Sequence, residues 1–98
     1  MRLVWSPLAL ERLETFAEYM ARDSPTAAEP WVNAVFAKVG NLADFPKSGR
    51  QLTETRRTDL REIVFGNDRI IYRWRDREIV LLTVRHFRQL LPPEEIDS

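Results

Sequence analysis

Residues 59–86 read DLREIVFGNDRIIYRWRDREIVLLTVRH, and the fold turns on how this stretch divides. Its β-branched, aromatic and charged residues are interrupted twice, at Gly66-Asn67 and at Asp76-Arg77, by pairs suited to reversing the chain. The division predicts three antiparallel strands in a meander. Side chains alternate along a strand, so Ile70, Tyr72 and Trp74 fall on one side of the middle strand and Arg69, Arg73 and Arg75 on the other. One face is expected to meet a second layer; the opposite face is expected to be open and basic.

That second layer is read from the N-terminal half. Residues 3–5 are short and apolar and suit an edge strand; Ser6 can then cap a helix, Pro7 fits its first position, and Trp5 can staple onto Leu10. Leu10, Leu13, Phe16, Ala17 and Met20 recur at helical spacing, which predicts one core-facing stripe. Asp23-Ser24-Pro25 repeats the cap logic, and Val32, Val35, Val39 and Leu42, with Trp31 and Phe36 beside them, mark a second helix to about Asp44. Pro30 removes a backbone donor and crowds the preceding turn, so a kink or a later start is expected there. The polar stretch from Phe45 through Thr58 reads as a long loop. Tandem prolines and acids in residues 90–98 predict a partly mobile acidic tail that leaves the sheet. The expected class is α+β: an N-terminal helical hairpin packed on a small antiparallel sheet of three to four strands, in one domain spanning residues 1–98.

Composition narrows the chemistry. A chain of 98 residues affords one two-layer core but no deep enclosed cavity, so a site should lie on an open face. The absence of cysteine excludes disulfides, thiolate nucleophiles and cysteine-based zinc sites. The N-terminus lacks a signal-peptide apolar run and no stretch is long enough to cross a bilayer, so a cytoplasmic protein without membrane partners is expected. No Gly-rich phosphate loop, His-x-x-x-His spacing or Gly-x-Ser-x-Gly elbow occurs, and neither metal nor cofactor is expected. The formal net charge of zero hides a polarity: residues 1–46 carry net −2, residues 47–88 net +5 and residues 89–98 net −3.

Taken in order, Val4-Trp5-Ser6-Pro7 with Ala9, Asp23-Ser24-Pro25-Thr26-Ala27-Ala28, Leu42-Ala43-Asp44-Phe45-Pro46-Lys47-Ser48-Gly49-Arg50, Leu60-Arg61-Glu62, Arg69-Ile70-Ile71-Tyr72-Arg73 and Val84-Arg85-His86-Phe87-Arg88 resemble the ParE branch of the RelE/ParE toxin superfamily. The resemblance covers almost the whole chain. It implies a helical hairpin against an antiparallel sheet, and a cognate antitoxin whose C-terminal segment wraps the toxin as a hetero-oligomer. Phe16, Met20, Trp31 and Val35 on the hairpin are the candidate antitoxin contacts.

The superfamily divides between ribosome-dependent messenger RNA endonucleases and ParE-like toxins that act on DNA gyrase by protein contact. A metal-free nuclease needs a base, cations for the phosphate and an acid for the leaving oxygen. His86, the only histidine, is the natural acid–base candidate, with Arg73 and Arg50 as the cations if the chain cuts RNA. A structural role at the end of the last strand weighs more, since a lone histidine more often has one. Phe87 and Pro92-Pro93 stand near the C-terminal end of the sheet, where RelE-like enzymes place further acid–base groups. Arg50, Arg61, Arg73, Arg85 and Arg88, with His86, are the candidate target-binding set, because guanidinium suits bidentate contacts to phosphate or carboxylate. The reading these residues favour is a gyrase-binding toxin, with the ribonuclease and an inactive interaction module as alternatives.

Overall fold

The computed structural model describes residues 1–97 and places the meander where the turn pairs put it. The strands are β1 (Arg2–Trp5), β2 (Arg50–Gln51), β3 (Leu60–Phe65), β4 (Asp68–Arg75) and β5 (Glu78–His86). They form one sheet in the order β1-β5-β4-β3-β2. The sheet has five strands rather than three to four: β1 adds to β5 in parallel, and β2 pairs with β3 over two residues, too few to show alternation. Gly66 takes a positive φ without steric cost, and Asp76 does so as one of the few other residue types that tolerate it.

Helix α1 (Pro7–Asp23) starts as its cap predicts. Ser6 is extended, its hydroxyl accepts from the Ala9 N–H at 3.0 Å, and Pro7 sits in the first turn. The same hydroxyl donates to the Leu82 carbonyl at 3.0 Å, which ties the helix start to β5. Trp5 packs edge-on against Phe36, with ring centroids 5.0 Å apart, while Leu10 stays 45% exposed; the staple is made to the second helix instead. Helix α2 (Ala28–Gly40) begins three residues beyond Pro25, so Pro30 falls in the first turn, where its missing N–H has no helical acceptor to lose. A 3-10 turn over Asn41–Ala43 ends the hairpin.

Leu13, Val35, Val39 and Leu42 pack on Ile70, Tyr72, Ile79, Leu81 and Val84, the apolar face read from the alternation. A bulge interrupts that alternation: Tyr72 faces Leu81 and Ile71 faces Thr83, so Leu82 is skipped and Val84 returns to the helix side. Tyr72 also holds the long loop. Its hydroxyl donates to the Pro46 carbonyl at 2.6 Å and accepts the buried Gly49 N–H at 3.1 Å. A Cβ on Gly49 would lie 2.5 Å from that oxygen and 2.7 Å from the Glu62 carbonyl oxygen, so the close approach requires glycine.

The outer face departs from expectation. Leu52, Leu60, Ile71 and Leu82 make a second apolar cluster there, and Ile96, 7% exposed, closes it. Residues 92–96 therefore fold back onto the sheet instead of leaving it; Ser98, the last residue of the expected tail, lies outside the described residues. The driving force is burial of Ile96 together with the ion pairs of Glu95, neither of which has a periodic signature in a short tail. Among the described residues no helix is long and apolar enough to cross a membrane.

Candidate partner-binding groove

The basic strand faces are largely neutralised within the fold. Arg69 is held by Glu62 through Nε and by Glu54 through both terminal nitrogens. Arg50 pairs with Glu62 at 2.9 Å, and Arg57 and Arg75 share Asp59. Arg85 donates twice to Glu95, which also accepts from Thr83 and from Arg12 of α1, so the tail clasps both layers. Burial pushes the Glu95 carboxyl up, but the Arg85 and Thr83 hydrogen bonds outweigh it and leave its pKa below the ordinary value. The hydrogen bonds from Arg57 and Arg75 hold Asp59 well below the usual carboxylate range, and Arg69 does the same, more weakly, for Glu54.

The candidate target-binding residues accordingly do not share one surface. Arg73 and Arg85 lie on the outer face, and Arg50 reaches Glu62 there. Arg61 is registered with Tyr72 on the helix side and donates to the Gly49 carbonyl at 2.8 Å. His86 also faces the helix side, because the bulge shifts the alternation. Arg88 lies beyond β5, stacked over Phe87. For the nuclease set, His86 is thus on the opposite face from Arg73 and Arg50, and the three cannot converge on one phosphate. His86 makes local contacts: its Nδ1 accepts the Arg88 N–H at 3.2 Å, its N–H donates to the Gln89 side chain, and its ring stacks on Phe87.

An open groove of about 700 Å³ runs between α1, the start of α2 and the end of the sheet. Phe16, Tyr19, Met20 and Trp31 give it apolar walls, with Tyr19 67% exposed, and Asp68, His86 and Gln89 close one end. Three of the four candidate antitoxin contacts, Phe16, Met20 and Trp31, line this groove. Val35 does not: it is 1% exposed in the core, because the second helix turns that position toward the sheet. Tyr19 and Asp68 were missed by the sequence reading. Tyr19 stands next to Met20 but was not counted in the apolar stripe, and Asp68 reads as part of a turn until its strand partner His86 is known.

A two-layer α+β scaffold with an exposed apolar groove is what these elements define. The family model for the ParE toxin of type II toxin–antitoxin systems (parDE) matches residues 3–91, and the chain belongs to that family. It is similar to the "Putative toxin Y4kP" of Sinorhizobium fredii, 35% identical over 92 residues, which is 93% of each chain. In structure it is similar to a chain of the chromosomal ParDE TA system from P. aeruginosa, with a TM-score of 0.74, 18% sequence identity, and coverage of 88% of this chain and 95% of that one.

Proposed function

We propose that this chain is the toxin of a ParE-like pair, that it acts in the cytoplasm by binding DNA gyrase without cutting nucleic acid, and that a cognate antitoxin neutralises it. The observation that carries the reading is the failure of His86, Arg73 and Arg50 to meet on one face. Acid–base cleavage needs base, acid and phosphate-binding cations within hydrogen-bond reach of one substrate, whereas inhibition by contact needs only surface. The antitoxin contact is assigned to the groove of Phe16, Tyr19, Met20 and Trp31, since an uncovered apolar patch of this kind is a usual mark of a protein interface. The target contact is assigned to the tip carrying Phe87, Arg88 and Leu90, where Leu90 is 89% exposed and the Arg88 guanidinium is not engaged by an acid among the described residues.

The test is direct. Purified toxin should inhibit supercoiling by gyrase, and added antitoxin should restore it, while messenger on translating ribosomes stays intact. Unaffected supercoiling refutes the reading; cleaved messenger replaces it with the ribonuclease.

A further inference from the structure

Asp68 opens β4 at the end of the groove, directly across from His86, on the face that carries Ile70 and Tyr72 toward the helices. It is half-buried, and its side chain makes no hydrogen bond or ion pair among the described residues. Burial pushes its pKa up, opposed only by the charge of His86. The groove holds a second carboxylate, Asp23, and neither lysine nor arginine lines it. Every other half-buried or buried carboxylate of the sheet and tail is paired: Glu62 with Arg69 and Arg50, Asp59 with Arg57 and Arg75, Glu78 with Arg2, Glu95 with Arg85 and Arg12. Among the described residues Asp68 alone of these has no Lys or Arg of its own, and only His86, across the strand pair, faces it as a possible cation.

An apolar occupant would remove water from this carboxylate, and an ionised group deprived of water without a donor is strongly disfavoured. A Lys or Arg brought by the occupant reverses that sign, because charge-assisted hydrogen bonds gain as solvent leaves. We infer that Asp68 is the specificity-determining residue of the groove, and that its occupant is an apolar peptide segment bearing a Lys or Arg positioned to pair with the Asp68 carboxylate. The inference rests on the assignment of the groove to the antitoxin and adds the chemistry by which the antitoxin is chosen.

The free toxin supplies a first check. Asp68 supports nothing in the fold, so Asp68→Asn should leave the melting temperature unchanged or raise it; a clear drop would make the residue structural and overturn the inference. Binding is then measured by calorimetry with the purified product of the gene adjacent to the toxin's own. Asp68→Asn should weaken binding by at least about tenfold, Asp68→Lys further, and added salt should weaken wild-type binding more than that of the Asn variant. Met20→Lys, which spoils the apolar wall, separates the two claims. If Met20→Lys abolishes binding while Asp68→Asn leaves it intact, the groove assignment stands and the role of Asp68 is refuted. Should neither variant alter binding, the groove assignment fails and the inference falls with it.

Discussion

Replacing Tyr72 by phenylalanine removes one oxygen from a site that is 0% exposed and leaves the ring in place. That oxygen donates to Pro46 and accepts from Gly49, so the substitution strips two hydrogen bonds and leaves the buried Gly49 N–H unsatisfied. A hydrogen bond contributes about 1 kcal/mol net, and an orphaned buried donor costs about 1–3 kcal/mol; together the expected loss is about 2–3 kcal/mol. For a domain of this size each kcal/mol lowers Tm by about 4–8 °C, which predicts a drop on the order of 10 °C in thermal unfolding followed by circular dichroism. Gly49→Ala acts on the same contact from the other side, since its Cβ would stand 2.5 Å from the hydroxyl oxygen. The double variant should therefore be less destabilised than the sum of the two singles. The pH dependence carries its own sign. Burial raises the Tyr72 pKa, so its stabilisation is complete below the ordinary value of 10.0 and is lost as pH rises above it. Tyr72→Phe should lack that alkaline limb. A Phe variant within about 0.5 kcal/mol of wild type, or strictly additive singles, would refute the claim that the loop hangs on this hydroxyl.

Glu95→Gln should destabilise by about 2 kcal/mol or more, because a side chain that is 7% exposed loses its charge against Arg85 and Arg12. Its folded pKa lies below 4.5, so the wild-type contribution is present above that pH and lost as pH falls through the folded value; urea titrations between pH 3 and 6 should show this limb in the wild type and not in the variant. Glu62→Gln should cost about 3 kcal/mol, since it leaves Arg69 paired with Glu54 alone and Arg50 with no acid; a variant with an unchanged urea midpoint would show that pair to be dispensable.

What was legible in the sequence was what repeats or punctuates. The meander followed from two turn pairs, the apolar face from alternation through Ile70, Tyr72 and Trp74, and the α1 start from Ser6-Pro7. The later start of α2 followed from the chemistry of Pro30. What was not legible depended on contacts distant along the chain. Leu82 interrupts the β5 alternation only because Tyr72 pairs with Leu81, and this carries His86 to the helix side. Ile96 and Glu95 belong to the sheet only because Leu52, Ile71, Leu82 and Arg85 await them there. Val35 and Met20 both lie in apolar helical stripes, and only the packed hairpin shows that one is core and the other groove wall. The family assignment survives the loss of a common basic surface because the match runs over residues 3–91 and does not rest on any one face.

The charge polarity along the chain is not a polarity in space. The basic excess of residues 47–88 meets acids drawn partly from outside it: Glu95 from the net −3 tail takes Arg85, while Glu54, Asp59 and Glu62 take Arg50, Arg57, Arg69 and Arg75. Glu62 and Glu95 are buried, and besides holding the fold these pairs cancel the field that would have drawn an acidic partner or a phosphate backbone to the outer face. The uncompensated charge that remains at the groove is negative, with Asp23 and Asp68 beside aromatic walls. The sequence alone offered an arginine surface for phosphate or carboxylate; the groove of the folded chain instead suits an apolar segment that brings its own cation.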